Sequence, residues 1–402
     1  MLRNMENSVT IYDKRMSHLV GIGLVLGFLL PHTSTAFLLV NPLLCLFYQC
    51  FKQNRVYYKN NWMVIIPVLL SLFINYPQGV EMKVLYSCMA ILLYFFCFPI
   101  VLNVKIPNIY FYFILFFIFV SQIAYAYNIL FMENILNSYY PLSEDDAAGL
   151  YQQRTVNADN ILNFRLGGLF HNSNQCARYI TFLMAGFIIL NSEKTIRKIL
   201  PFILISFYAV LLTGSRTGFV VASLIIIAYL FVDKRISLMW RLLVVAIAVS
   251  TFMVLIWSGS NTFRGFNIED GFSGSASMKM DTFAYYLSSE KSLLRLLLGY
   301  LDTSRFDISK ATFDVMRKFD SDYGSVIFSY GFIGFFAILY YLFTILKKMD
   351  RYGRLYFILV LWMYSSTIVH SYRAFFLFML MLSVVYSQHK LNEYNKNQNI
   401  LK

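Results

Sequence analysis

The sequence contains few charged residues. Asp, Glu, Lys and Arg make up 14% of its 402 residues, whereas a soluble globular domain carries about 25%. Hydrophobic residues make up 58%, with 39 Phe and 30 Tyr among the aromatic residues. The apolar stretches are continuous rather than alternating, which excludes a transmembrane β-barrel. The composition therefore predicts an all-α polytopic membrane protein.

Cysteine is also scarce and is absent from both long polar segments. The five cysteines lie in or at the edge of apolar stretches, and no Cys-x-x-Cys or Cys/His metal spacing occurs. We therefore expect no disulfide and no structural zinc. No small-x-small cleavage site follows the first apolar stretch, 19–30, which we interpret as a retained membrane span.

Two further absences weigh against other functions. The sequence has no Gly-x-x-x-x-Gly-Lys-Ser/Thr loop, so we expect no ATP-driven motor and no cofactor. No charged residue lies well inside a predicted span, whereas ion-coupled transporters usually need such residues. These absences weaken the interpretation of the chain as a transporter.

The apolar stretches predict about twelve transmembrane helices, because a bilayer core needs roughly 20 apolar residues per helix. The predicted spans are 16–31, 34–51, 62–76, 84–102, 108–131, 176–192, 199–213, 217–232, 239–258, 323–346, 355–370 and 374–388. Several are short, and the first two could form a re-entrant hairpin instead.

Basic residues set the predicted orientation. With the N-terminus in the cytoplasm, the inner segments hold 20 of the 34 Lys and Arg but only 6 of the 21 Asp and Glu. This positive-inside distribution accounts for the net charge of +13 without a nucleic-acid partner. Both termini are then cytoplasmic, including the polar tail 389–402.

The chain is predicted to form a single integral membrane domain, 1–402, with two extracytoplasmic loops. The first loop is 132–175. The second, 259–322, is too long to be a simple connection. Leucines on both sides of Arg295 predict that this large loop is partly helical, with an amphipathic segment at the membrane surface.

The end of the first loop, 165–178, reads RLGGLFHNSNQCAR and contains several polar candidates. Arg165 could bind a phosphate, and His171 could titrate or donate a hydrogen bond. Asn174 and its neighbours are equally suited to capping the helix that follows, with Arg165 among lipid headgroups. The residues alone leave both interpretations open.

Arg216 lies in the short outer turn GSRTG between two predicted spans. Because its neighbours are small, its guanidinium is unshielded. It could bind an anion through charge-assisted hydrogen bonds, which contribute about 1.5–3 kcal/mol each. It could equally extend towards lipid phosphates, as arginines near helix ends do.

Two acidic residues, Asp320 and Asp322, lie where the large loop enters the next span, in DSDYGSVIF. Carboxylates at this spacing could supply a general base or a metal ligand, and of the two we predict a base and no metal site. They could instead cap the helix that follows. His370 and Arg373, in the last outer turn, could line the same cavity or anchor the helices at the surface.

Four segments, taken in order, resemble a known family. They are RLGGLFHNSNQCAR before a span, the SRTG turn, LLRLLLGY in the large loop, and DSDYGSVIFSYGFIG entering the next span. Their order and placement are similar to those of the O-antigen polymerase and O-antigen ligase superfamily of bacterial surface-polysaccharide assembly. The resemblance covers about 165–345.

The resemblance implies a glycosyltransferase at the outer face of the bacterial cytoplasmic membrane. Such an enzyme polymerises undecaprenyl-diphosphate-linked repeat units of O-antigen or capsular polysaccharide. Its partners would be the lipid-linked donor and acceptor glycans, the bilayer and a chain-length regulator. Ligases of the superfamily carry His-Asn where this chain has Asp320-Ser321, which favours a polymerase. A ligase and a lipid-linked oligosaccharide flippase remain the alternatives.

The resemblance also assigns roles to residues. Arginines in outer loops of the family bind the diphosphate, and the corresponding candidates here are Arg216, Arg165, Arg264 and Arg305. The acceptor hydroxyl needs a base, for which the candidates are Asp320, Asp322 and His171. Asn174 and Arg373 complete the predicted substrate-binding set.

Overall fold

A computed structural model describes ten stretches of the chain, and further short pieces and single positions between them. The stretches are 14–29, 62–80, 105–127, 166–170, 173–191, 194–233, 236–239, 241–242, 292–301 and 322–347. The shorter pieces are 84–85, 88–89, 92, 129, 135, 246, 250, 284, 286–288, 353–354 and 385. Regular structure within these residues is helical, and none of it is a strand.

Bounds are given for eight α-helices and for a 3-10 turn at Tyr76–Gln78. They are α1 (Lys14–Leu29), α2 (Trp62–Asn75), α3 (Asn108–Ala126), α4 (Ser173–Leu190), α5 (Ile196–Leu212), α6 (Arg216–Val232), α7 (Leu293–Leu298) and α8 (Asp322–Leu346). The all-α prediction is therefore confirmed for the described residues.

Seven of these helices coincide with predicted spans, and α7 coincides with the predicted amphipathic segment of the large loop. α4 and α5 each begin three residues earlier than predicted, because polar first turns continue the helical backbone beyond the apolar stretch. The predicted spans 34–51, 84–102, 239–258, 355–370 and 374–388 lie mostly or wholly outside the described residues, as do most of the two long loops.

Two of the described helices are long and apolar enough to cross a membrane. These segments, Asn108–Ala126 and Val326–Ile345, have 19 and 20 residues and a mean hydropathy of 2.0. Only 39% of the first is buried, so most of its apolar surface faces outwards. Shorter apolar helices lie at Ser17–Leu29, Trp62–Asn75 and Gly218–Val232.

Large apolar side chains line the outward faces of α3 and α8 at helical spacing. On α3 the exposed side chains include Ile109, Phe113, Phe116 and Val120. On α8 they include Ile333, Phe336, Tyr340 and Phe343. A surface helix of a soluble protein carries polar residues on that side. These two faces are therefore suited to lipid contact.

The core of the α3–α5 group is aromatic. Phe187 of α4 stacks on Phe202 of α5 with ring centroids 3.9 Å apart. Phe111 of α3 meets Phe187 edge-on at 5.6 Å. Buried aromatic pairs of this kind contribute about 0.5–1.5 kcal/mol beyond the area that they bury, so these rings hold the three helices together.

Contacts between side chains give the relative directions of the helices. α1 and α3 run parallel, since His18 of α1 and Tyr110 of α3 share a 2.7 Å hydrogen bond, each near the start of its helix. α4 runs antiparallel to α3, because Phe111 near the start of α3 contacts Phe187 near the end of α4. α5 runs antiparallel to α4, and α6 runs antiparallel to α5.

α2 and α8 form an antiparallel pair. The hydroxyl of Ser71, near the end of α2, donates to the carbonyl of Ser329 at 2.8 Å. Earlier in α2, Pro67 lies opposite Gly334, which comes later in α8. The end of α2 and the start of α8 therefore share one end of the molecule.

Basic residues gather at the end of the bundle where α3 and α5 begin. Lys105 precedes α3, and Lys194 and Lys198 lie in the connection into α5 and its first turn. Burial lowers the pKa of Lys194, and the neighbouring charges of Lys105 and Lys198 lower it further. This end of the helix group therefore carries a concentrated positive charge.

Candidate functional site

The segment 166–170 is fixed between two helices immediately before α4. The N–H of Leu166 donates to the carbonyl of Leu212, the last residue of α5, at 3.0 Å. The carbonyl of Leu166 accepts from Nε2 of Gln122 in α3 at 3.1 Å. Both backbone groups of Leu166 are thus paired, so the entry into α4 has one defined path.

Gly168 is needed for this path. Its φ of 56° is in the left-handed region that glycine adopts readily. A Cβ at this position would overlap the hydroxyl oxygen of Ser121, which accepts from the N–H of Leu169 at 3.3 Å. The absence of a side chain at Gly168 therefore lets this segment lie close against α3.

Gln122 links this segment to three helices. It is fully buried, and its Nε2 also donates to the carbonyl of Ala209 in α5 at 3.0 Å and lies 3.6 Å from Sγ of Cys176 in α4. Its buried Oε1 has no hydrogen-bond partner within the described parts of the chain. Sequence reasoning missed Gln122, although an amide within the apolar stretch Asn108–Ala126 was a visible signal.

The GSRTG turn places Arg216 at the first residue of α6. Gly214, with a φ of 59°, makes the reversal after α5. Ser215 is the N-cap, because its Oγ accepts from the N–H of Gly218 at 3.2 Å. The hydroxyl of Thr213 accepts from the N–H of Ser215 at 3.2 Å. The turn is therefore held by its own side chains.

α4 and α6 touch near their starts. A Cβ on Gly218 would lie 2.5 Å from the Cβ of Ala177, so the absence of a side chain at Gly218 lets the two helices approach closely. Because the two helices run parallel, their N-termini lie side by side. The segment 166–170 and the first turn of α4 are thus brought next to the turn GSRTG, from which they are separate in the sequence.

The electrostatics of this end favour an anion. Each helix N-terminus carries unpaired N–H groups and roughly half a positive charge. Neither α4 nor α6 has an acidic residue in its first turn, so neither neutralises its own end. Asn174, the second residue of α4, is exposed here.

A second cluster forms where α7 packs on α8. The backbone of α8 breaks at Gly331, which has φ 66° and ψ −177° inside an otherwise helical segment. A Cβ on Gly331 would overlap the carbonyl of Leu297, and a Cβ on Gly299 would overlap the carbonyl of Ser329. Because neither glycine has a side chain, the backbones of the two segments can approach closely.

The residues after α7 satisfy carbonyls at the break in α8. The N–H groups of Tyr300 and Leu301 donate to the carbonyls of Phe328 and Ser329 at 2.8 and 2.9 Å. In an unbroken helix these carbonyls would accept from the residues four positions later. A break in an apolar helix is tolerated where protein groups replace those bonds. The segment predicted as a span over 323–346 therefore forms an apolar helix that is kinked at Gly331.

The two clusters share one hydrophobic core. Cys176 and Ala177 of α4 belong to the same set of contacting buried side chains as Leu301 and Tyr330. Phe170, in the segment before α4, belongs to the same core.

Three of the predicted site residues lie among the described residues. Arg216 and Asp322 are the first residues of α6 and α8, but their side chains lie outside the described atoms. Asn174 is an exposed residue of α4. The remaining predicted residues lie outside the described residues, and they are Asp320, His171, Arg165, Arg264, Arg305 and Arg373.

Comparison with known proteins gives no relative. No protein-family model, no curated protein and no solved structure matches the chain.

Proposed function

We propose that this chain is a glycosyltransferase that polymerises undecaprenyl-diphosphate-linked repeat units of O-antigen or capsular polysaccharide. It would act at the outer face of the bacterial cytoplasmic membrane, with both chain termini in the cytoplasm. The observation that carries the proposal is the contact between Gly218 and Ala177. This contact sets the starts of α4 and α6 side by side, with Arg216 opening α6.

A diphosphate fits this arrangement better than a neutral glycan does. Paired helix N-termini without acidic residues attract an anion through their N–H groups. An arginine at the first helical position can add bidentate bonds to phosphate oxygens. Polyprenyl diphosphates move in the plane of the bilayer, and the apolar outward faces of α3 and α8 suit the same environment.

The proposed reaction transfers a glycan from one carrier to another. An acceptor sugar hydroxyl oxygen attacks the anomeric carbon of the donor glycan, and the bond from that carbon to the diphosphate oxygen breaks. Undecaprenyl diphosphate leaves with the electron pair, while a base takes the hydroxyl proton. Arg216 and the two helix N-termini would stabilise the charge that develops on the leaving group. The base candidates are Asp320, Asp322 and His171.

The test is replacement of Arg216 in a strain that depends on this protein for its surface polysaccharide. We expect Arg216→Ala to abolish long-chain polymer and to leave single repeat units, with Arg216→Lys giving partial activity. Arg197→Ala is the matched control, because Arg197 is an exposed arginine at the opposite end of the bundle. Membrane levels of the tagged variants should be equal.

The same experiment separates the alternatives. Normal chain length in Arg216→Ala cells would contradict the proposal. Long polymer that stays on the lipid carrier would indicate a ligase. Lipid-linked repeat units confined to the inner leaflet would indicate a flippase.

A further inference from the structure

Arg295 in α7 is held by three different contacts. Its Nη1 donates to Oδ1 of Asn75 and to the carbonyl of Gly299, the latter at 3.5 Å. Its guanidinium carbon lies 4.8 Å from the centre of the Tyr300 ring. Cation–π contact of this kind orients the guanidinium plane as well as stabilising its charge.

The Asn75 side chain is itself fixed, so the contact with Arg295 has a defined geometry. Asn75 is fully buried at the end of α2. Its Nδ2 donates to the carbonyl of Ser71 at 2.7 Å and to that of Gly299 at 3.2 Å. Because the amide nitrogen lies between two carbonyls, Oδ1 is left to accept from Arg295.

Both hydrogen bonds of the Arg295 side chain use Nη1 of the guanidinium. Nε and Nη2 of Arg295 make no hydrogen bond to a described residue, and no described carboxylate lies within ion-pair distance. Nε and Nη2 form the edge that can donate two parallel bonds to two oxygens of one phosphate or carboxylate. A partly buried arginine normally has a negatively charged partner.

The surroundings of Arg295 indicate where that partner comes from. Leu293, Leu294 and Leu297 of the same short helix are exposed by 70%, 52% and 36%, while Leu298 is buried. Exposed leucines beside a cation are typical of a segment that lies in the interface of a bilayer. The anion would therefore be carried by a lipid.

We propose that the Nε–Nη2 edge of Arg295 binds the diphosphate of a polyprenyl-linked substrate. This inference rests on the proposed function and adds a second diphosphate contact, distinct from Arg216. Asn75 and Tyr300 are positioning residues, because they hold the guanidinium without reaching the substrate. An ordinary phospholipid headgroup offers the same chemistry, so the experiment has to separate the two sources.

The test measures binding rather than activity. The full-length protein is placed in phosphatidylcholine nanodiscs and titrated with undecaprenyl diphosphate, with bound lipid counted by native mass spectrometry. We expect Arg295→Gln to weaken binding by about 10- to 100-fold, which corresponds to the loss of one charge-assisted bond. Arg295→Lys keeps the charge but not the two-bond edge, so it should lose about tenfold.

The controls address folding and the source of the phosphate. Arg197→Gln removes an exposed arginine from the first turn of α5 and should bind as the wild type does. Melting temperatures of the variants show whether the Gln variant is folded, and the Lys variant provides the comparison if it is not. Phosphatidylglycerol, added at the same mole fraction, should not displace undecaprenyl diphosphate.

Equal binding by the wild type and both Arg295 variants would overturn the proposal, and so would no binding by the wild type. Displacement by phosphatidylglycerol would overturn the assignment to the substrate, because the site would then take any lipid phosphate. The binding measurement needs no polymer synthesis. Normal polymer in Arg216→Ala cells would therefore contradict the proposed function without changing this result.

Discussion

The N–H of Leu166 donates to the carbonyl of Leu212 at 3.0 Å, and this single bond joins the segment before α4 to the end of α5. Gln122 reinforces the junction from α3 through the carbonyls of Leu166 and Ala209. A hydrogen bond between buried polar groups contributes modestly to stability. Removing one partner costs more, because the other group is left buried and unsatisfied. The junction therefore fixes the position from which α4 and α6 both start.

Gln122→Leu should destabilise the protein. The substitution leaves the carbonyls of Leu166 and Ala209 without their donor, at about 1–3 kcal/mol for each buried unsatisfied group. Thermal unfolding in detergent measures the loss. Ser206→Ala is the matched control, because the buried Ser206 hydroxyl has no partner in the described part of the chain. Equal melting temperatures for the two variants would contradict the role given to Gln122.

Gly218→Ala tests the contact between the starts of α4 and α6. The added methyl group meets Ala177 at 2.5 Å, so the helices must move apart, and we expect a loss of about 1–3 kcal/mol. Ala177→Gly alone should cost up to about 1 kcal/mol through helix propensity.

The double variant Gly218→Ala with Ala177→Gly should be more stable than the two separate losses predict, since the second substitution removes the overlap. Thermal unfolding of the wild type, both single variants and the double variant measures the coupling between the two residues. Simple additivity would show that the two helices do not meet at these residues.

Gly331→Ala tests the break in α8. The residue has φ 66°, and a Cβ there would overlap the carbonyl of Leu297, so the variant combines backbone strain with a clash. Gly79→Ala is a useful comparison, because Gly79 has φ 79° but nothing within 4 Å of the Cβ position. We expect Gly79→Ala to cost about 1 kcal/mol and Gly331→Ala clearly more, as measured by thermal unfolding. Similar losses would falsify the packing of α7 on the break.

Lys194 should make stability depend on alkaline pH. Its pKa is lowered from 10.5, first by burial and then by Lys105 and Lys198. Between the lowered pKa and 10.5 the unfolded chain binds more protons than the folded one, so stability rises as pH rises through that interval.

Lys194→Gln should remove this slope and slightly stabilise the protein at pH 7, within about 0.5 kcal/mol because Lys194 lies near the surface. Unfolding measured from pH 8 to pH 11 checks both effects. Arg15→Gln, which removes an exposed charge from the start of α1, should keep the slope. If the stability of Lys194→Gln changed with pH as that of the wild type does, the pH dependence would not arise from Lys194.

Sequence patterns predicted the helices well where the cause is local. Long apolar stretches give α3 and α8, and Ser215 before an apolar stretch gives the start of α6. The leucines flanking Arg295 gave α7. The break at Gly331 was missed, since YGFIG fits a continuous apolar helix until the backbone of Leu297 approaches it.

The candidate site was predictable only in part. Arg216 was singled out because a charged residue in a turn of small residues is visible in the sequence. Arg295 was noted only as an interruption among leucines, because its partner Asn75 lies far away in the chain. Gln122 was missed for the same reason.

The sequence by itself determined that the chain is helical and strongly apolar, since composition and the lengths of apolar stretches depend on neighbouring residues alone. The tertiary structure decided which ends meet. The contact of Gly218 with Ala177, the packing of Gly331 against Leu297 and the bond from Arg295 to Asn75 each join distant parts of the chain. Such contacts depend on how close two backbones can come, and only the folded helices set that distance.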